Sequence, residues 1–245
     1  MSVRITGAVT VRVLRQLRRD HRTVAMLLVV PCVLLTLLWW MFDGNDLVFN
    51  QFGPPLLALF PFIVMFLVTS VTTLRERSSG TLERLLSMPL GKADLLIGYA
   101  IAFGLVALVQ AAVAVGLTVG LLGLDVTGPV WMLTVVAVLD AVLGTALGLF
   151  VSAFAETEFQ AVQFMPALVL PQVLLCGLFV ARDALPTVLE AVSDLMPLSY
   201  AVEAMQQVQT STELTSTLVV DLLVIAGFVA AALGLGAATL KRRTA

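Results

Sequence analysis

The sequence predicts an all-α integral membrane protein with six transmembrane helices. Of its 245 residues, 60% are hydrophobic and only 12% are charged, whereas a soluble domain carries about 25% charged residues. The mean hydropathy is correspondingly high, at +1.03, and apolar runs of bilayer-spanning length recur along the chain. We therefore expect one transmembrane domain over residues 1–245, and the net charge of −2 argues against a nucleic-acid partner.

The first element is an amphipathic helix predicted over residues 8–22. Apolar residues form one of its faces and arginines form the other: Val9, Val13, Leu14 and Leu17 against Arg12, Arg15, Arg18, Arg19 and Arg22. This pattern is typical of a helix that lies in the membrane interface with its cations toward anionic headgroups. The arginines could instead serve only to fix topology, and the two roles are compatible.

Six apolar runs follow, and each is long enough to cross a bilayer. We predict transmembrane helices over residues 24–42, 54–74, 95–122, 130–154, 162–180 and 214–240. The first run is not followed by a small-residue cleavage site, so we expect it to be a retained span. Pro61 in the second span, and Pro166 and Pro171 in the fifth, each remove an intrahelical hydrogen bond, which neighbouring protein must then replace.

Residues 185–209, between the fifth and sixth spans, are too polar to cross the membrane. Their apolar residues recur at helical spacing, which predicts two short amphipathic helices at the outer surface. Thr210 and Glu213 then fit a capping box, which would start the sixth span near Leu214.

Charge asymmetry predicts the orientation of these spans. Thirteen of the 14 Lys and Arg residues fall on one side of a six-span topology, and Arg182 alone falls on the other. The positive-inside rule therefore places both termini and the segment between the second and third spans in the cytoplasm.

That segment, RERSSGTLERLLSMPLGK over residues 75–92, is the longest charged interruption of the apolar chain. Gly80 and Pro89 bound a helix predicted over residues 81–88, with leucines along one face. A helix of about 8 residues is unstable alone, so we expect it to dock on a partner. The alternative is an ordinary solvated loop.

Two polar residues lie deep in the apolar spans. If the third and fourth spans form an antiparallel hairpin, Gln110 and Asp140 reach similar depth near the midplane. A central aspartate costs about 2.5–3.5 kcal/mol on insertion scales, so we expect Gln110 to donate a hydrogen bond to Asp140. A proton relay or substrate contact at Asp140 is the alternative. The motifs Gly116-x-x-x-Gly120 and Gly144-x-x-x-Gly148, on the same two spans, are expected to allow close helix packing.

Three motifs in the chain resemble those of the ABC-2 family of transporter permeases. The family pattern E-x-x-x-G-T-x-E-x-L-x-x-x-P is matched at Glu76, Gly80, Thr81, Glu83, Leu85 and Pro89. The second motif, Glu158-Phe159-Gln160, precedes Pro166 and Pro171, and the third runs from Met196 to Ala201 and reads MPLSYA. This third motif is similar to the family's N-P-L-T-Y-A, with Met196 in place of the usual asparagine. The likeness covers nearly the whole chain.

The resemblance implies an elbow helix at residues 8–22 and a coupling helix at residues 81–88, seated on an ATPase subunit. It assigns this coupling to Arg75, Glu76, Arg77, Gly80, Thr81, Glu83, Arg84, Met88 and Pro89, with Glu156 and Glu158 in a second cytoplasmic loop. It further implies two permease chains and two ATPase subunits in a bacterial cytoplasmic membrane. The expected cargo is a drug, antibiotic or lipid of hydrophobic or amphiphilic character.

No phosphate-binding G-x-x-x-x-G-K-[ST] motif occurs in the sequence. ATP and Mg²⁺ are therefore expected on the partner ATPase, with no catalytic or metal site in this chain. Three rival classes are a secondary transporter, a membrane-embedded transferase or hydrolase, and a structural scaffold. The first would show an internal repeat and several midplane charges, and the second would show clustered acidic residues or histidines near Glu156 and Glu158. A scaffold would need no docking helix.

Overall fold

A computed structural model describes residues 2–42, 44–80 and 91–239 of the chain. Over these residues the protein is all-helical and contains no strand, which confirms the predicted fold class. The helices are α1 (Val3–Arg19), α2 (His21–Met41), α3 (Asp46–Ser78), α4 (Lys92–Gly120), α5 (Val130–Val151), α6 (Glu158–Leu175), α7 (Thr187–Asp194), α8 (Pro197–Thr210) and α9 (Ser216–Thr239), with a 3₁₀ turn at Arg182–Ala184. The predicted helix over residues 81–88 lies outside the described residues.

The six predicted spans correspond to α2, α3, α4, α5, α6 and α9, which are long and apolar enough to cross a membrane. They run alternately up and down, so that one end of the bundle gathers α1, the last turn of α3, the first turns of α4 and α6, and the end of α5. We call this the basic end, because α1 and α3 bring their arginines there. The loops at 121–129 and the helices α7 and α8 lie at the opposite end.

The tightest contact in the bundle joins α5 to the backbone of α3. A Cβ atom on Gly144 would lie 2.4 Å from the carbonyl oxygen of Phe62, and one on Gly148 would lie 2.6 Å from that of Phe66. Only glycine fits so close to another main chain, which confirms the packing predicted for this pair. By contrast, a Cβ atom on Gly116 would have no other atom of the described chain within 4 Å.

The apolar stripe of α1 packs on α4 and is buried within the chain. Val9, Val13 and Leu17 are each no more than 5% exposed, and Val9 lies so close to Gly98 that a Cβ atom there would approach it to 2.7 Å. The Asp94 carboxylate, in the first turn of α4, accepts hydrogen bonds from the Ser2 amide at 2.9 Å and the Thr6 hydroxyl at 3.2 Å. The stripe therefore anchors α1 to protein, and its arginine face stays outward.

Several helix boundaries differ from those predicted, and two of them do so because the capping residue was misassigned or missed. Asp20 separates α1 from α2 and caps α2, accepting hydrogen bonds from the Thr23 hydroxyl at 2.6 Å and the Thr23 amide at 3.1 Å. These bonds hold the pKa of Asp20 below its usual value. The capping box at Thr210 is wrong, since Thr210 ends α8 and the Thr215 hydroxyl accepts from the Leu218 amide.

We expect Gly144→Ala to destabilise the protein by about 1–3 kcal/mol, because overpacking against a backbone cannot be relieved by a rotamer change. Gly116→Ala is the matched control, since its Cβ enters open space. Thermal unfolding of both variants in detergent, followed by fluorescence-detected size-exclusion chromatography, provides the measurement. Equal melting temperatures for the two variants would contradict the close packing of α3 on α5.

Candidate functional site

Three consecutive residues in the last turn of α3 bind three different elements at the basic end. Successive residues of an α-helix point about 100° apart, so Arg75, Glu76 and Arg77 project in different directions. Each of them has a partner in the described chain. At the basic end, α3 is thereby fixed on three sides.

Arg75 forms a forked pair with Glu158, at the start of α6. Its Nε lies 2.7 Å from Oε1 of Glu158 and its Nη2 lies 2.9 Å from Oε2. Both side chains are more than half exposed, so the pair contributes about 1 kcal/mol at most to stability. Its planar geometry nevertheless fixes orientation. Sequence analysis assigned these two residues to separate cytoplasmic loops and missed their contact.

Glu76 is buried, with 5% of its surface exposed, and its Oε1 lies 3.4 Å from Nη2 of Arg12. This ion pair joins α3 to the arginine face of α1. Arg77 donates a hydrogen bond to the carbonyl oxygen of Ser152, which caps the end of α5. The predicted coupling role of Glu76 stays a prediction, but so buried a carboxylate can act on a partner only through its neighbours.

Gly80 ends this turn with a φ of +70°, the left-handed conformation that glycine adopts most readily after a helix. Residues 81–90 follow and lie outside the described residues, so the predicted contacts of Thr81, Glu83, Arg84, Met88 and Pro89 stay predictions. On the far side of this segment α4 begins, with Asp94 bonded to α1. Both flanks of the segment are therefore anchored to the same body of protein.

The second predicted loop begins α6 with a reciprocal cap. The Thr157 hydroxyl accepts a hydrogen bond from the Gln160 amide at 3.2 Å, and the Gln160 side chain accepts one from the Glu156 amide at 2.9 Å. This arrangement resembles a capping box and fixes the first turn of α6. Glu158 lies within that turn, so the cap positions the carboxylate that Arg75 binds.

The predicted hydrogen bond between Gln110 and Asp140 is wrong. Nε2 of Gln110 instead donates to the carbonyl oxygen of Leu27, at 2.9 Å. Pro31 lies four residues after Leu27 inside α2, and because proline has no N–H it leaves that carbonyl without its helical donor. Asp140 is fully buried, and neither of its carboxylate oxygens has a hydrogen-bond partner in the described chain.

A second glutamine, Gln209, likewise donates a hydrogen bond to a carbonyl that a proline frees in α3. Pro54 leaves the carbonyl oxygen of Asn50 without its helical donor, and Nε2 of Gln209, in α8, donates to that oxygen at 2.6 Å. The side chain of Asn50 also exchanges two hydrogen bonds with Asp125, each of 3.0 Å. A proline within an apolar helix frees the carbonyl four residues before it, which then needs another donor. This sequence signal could have identified both glutamine contacts.

At the opposite end, Arg182 is the centre of a polar network beside a cavity of about 590 Å³. Its guanidinium binds Asp194 and Glu203 and lies over the ring of Tyr200, 5.1 Å from the centroid. Tyr200 also donates to the carbonyl oxygen of Asp194 at 2.7 Å. The MPLSYA motif thus supplies the aromatic support for Arg182, a role that the sequence did not indicate.

The model of the ABC-2 type transporter family matches residues 5–210. The probable multidrug ABC transporter permease YbhS of Escherichia coli is 26% identical over 182 residues, which cover 74% of this chain and 48% of that protein. The inner membrane transport permease YhhJ of E. coli is 29% identical over 149 residues, covering 60% and 39%. ABC transporter G family member 20 of Dictyostelium discoideum is 23% identical over 166 residues, covering 68% and 23%. The chain spans about half or less of the length of these relatives.

We expect Gln110→Leu to lower stability by about 0.6–2 kcal/mol, because it leaves the Leu27 carbonyl unpaired inside the bilayer. The loss should be much smaller in a Pro31→Ala background, where the restored backbone N–H supplies the missing donor. Melting temperatures of the two single variants and the double variant measure this coupling. Additive effects of the two substitutions would show that Gln110 does not act through the carbonyl that Pro31 frees.

Proposed function

Because the chain belongs to the ABC-2 type transporter family, we propose that it is the membrane subunit of an exporter driven by a separate ATPase. The sequence carries no phosphate-binding loop, so ATP and Mg²⁺ would be held by the partner. The relative YbhS, named as a probable multidrug permease, supports a hydrophobic or amphiphilic cargo. The positive-inside count supports a cytoplasmic location for the basic end.

The anchoring of α3 at Arg75, Glu76 and Arg77 is the observation that carries this proposal. Residues 81–90 connect α3 to α4, and they include the proposed coupling helix. A displacement of this segment by an ATPase would act first on the last turn of α3. The three contacts of that turn would then pass the displacement to α1, α5 and α6.

Uncovered apolar helices support the second part of the proposal, which is a pair of permease chains. In the 18-residue apolar stretch of each helix that could cross the membrane, 17% of residues are buried in α2 and 17% in α6, against 61% in both α3 and α5. Such apolar surfaces must be covered by lipid or by protein. The family likeness assigns α2, α3 and α6 to the translocation path, which would run between two copies or between two related chains.

Isolation of the chain together with a P-loop ATPase, followed by reconstitution of both in liposomes, tests the proposal. We expect ATP-dependent export of an amphiphilic dye, and cargo-stimulated ATP hydrolysis. Arg75→Glu and Glu158→Arg should each lower that stimulation about two- to fivefold, since each loses an exposed ion pair and gains a like-charge contact. The double exchange should restore it, because the fork re-forms with its charges reversed.

Glu83→Arg tests the proposed contact with the ATPase separately from the Arg75–Glu158 contact within the chain. It should lower the stimulation about fivefold, the effect of about 1 kcal/mol at the edge of an interface, while membrane insertion is retained. Glu213→Arg, an exposed substitution at the opposite end, serves as its control. Unchanged hydrolysis in Glu83→Arg would contradict the docking role of residues 81–88, and failure of export with ATP and ATPase would contradict the function.

Proton-coupled transport is the second candidate function. The observation that favours it is Asp140, which is buried and has no hydrogen-bond partner among the described residues. One buried carboxylate makes a poor relay, because protons usually pass along chains of acidic and histidine residues. We expect Asp140→Asn to retain ATP-driven export at near wild-type rate. Loss of export in this variant, together with sensitivity to collapse of the proton gradient, would favour the secondary transporter instead.

A further inference from the structure

A cleft of about 320 Å³ opens between α1, α2 and α4 at the basic end. Its walls are apolar and come from all three helices: Leu14 and Leu17, Leu27 and Leu28, and Val106 and Val109. One cationic side chain, Arg18, lies among the lining residues. An apolar cleft with a single cation among its lining residues complements an anionic lipid, which carries a charged head on a hydrocarbon chain.

The positive charge around this cleft is largely uncompensated. Arg12 is paired with Glu76, but Arg15, Arg18, Arg19 and Arg22 have no ion pair with any residue in the described ranges. A second cavity, of about 470 Å³, is lined by three arginines of α1 and by Gln16. The one acidic group at the turn between α1 and α2, Asp20, is already bonded to Thr23.

The position of the cleft matches the two parts of such a ligand. Arg18 is near the end of α1, where the chain turns into the first membrane-spanning helix. Val106 and Val109 line the same cleft from the apolar run of α4, which lies alongside α1. At one end of the cleft, the bond from Gln110, the residue after Val109, to the carbonyl of Leu27 holds α2 beside α4.

We propose that this cleft binds one anionic phospholipid, with an acyl chain between α2 and α4 and its phosphate at Arg18. The neighbouring unpaired arginines select an anionic headgroup over a zwitterionic one. The bound lipid joins α1 to the membrane-spanning helices at the end of the bundle that holds the last turn of α3. This differs from general attraction of a basic helix to a membrane, because the acyl chain occupies a defined apolar site.

Native mass spectrometry of the full chain, purified in detergent with added dioleoyl phosphatidylglycerol, tests the proposal. We expect one retained lipid per chain, and no comparable retention of dioleoyl phosphatidylcholine. Arg18→Gln should weaken retention about fivefold, the typical effect of one arginine near an anionic surface. Arg4→Gln, an exposed arginine of the same helix outside the cleft, should leave it unchanged.

A second pair of variants tests the acyl-chain site. Val109→Trp fills the cleft and should abolish retention, whereas Val113→Trp, one turn further along α4 and similarly exposed, should preserve it. Equal retention of the two lipids would overturn the proposal. Equal weakening by Arg18→Gln and Arg4→Gln, or by the two tryptophan variants, would overturn it as well, because binding would then be a general property of the surface.

Discussion

Every backbone carbonyl in a membrane must find a hydrogen-bond donor within the protein, and this requirement shapes the bundle. Pro31 and Pro54 each free a carbonyl in a helix that spans the apolar layer. A glutamine from a neighbouring helix donates to each of them. The two bonds join α2 to α4 and α3 to α8, so the carbonyls that these two prolines free become connections between helices.

The sequence predicted most of the fold because apolar length and charge asymmetry are local properties. Six long apolar runs can be counted without knowledge of their neighbours, and Gly144-x-x-x-Gly148 indicated close packing directly. Helix ends were less predictable: Thr210 and Thr215 are both good capping residues, and only the backbone path of α8 decides between them. The equivalent glycine motif at Gly116 has no partner within the described chain, because a small residue permits close approach without requiring it.

The candidate site was harder to predict because its contacts join residues far apart in sequence. Arg75 and Glu158 are separated by 83 positions, and Arg12 and Glu76 by 64. Charge and motif placed Arg75, Glu76 and Glu158 at the same membrane surface, but the partner of each depends on helix rotation. Gln110 shows the same limit: its depth was predicted, and its partner could be found only by noting which carbonyl Pro31 leaves free.

Contacts at both ends of α3 and the glycine contact at its middle hold this helix in the bundle. With 33 residues, α3 is about 50 Å long at 1.5 Å per residue. Gly144 and Gly148 of α5 lie against its middle, where a side chain in place of either glycine would meet the backbone of α3. One end of α3 carries Arg75, Glu76 and Arg77. The other end carries Asn50, which is bonded to Gln209 and Asp125. One continuous helix therefore links the contacts of the basic end with those of the opposite end, and the two glycines of α5 lie against it between them.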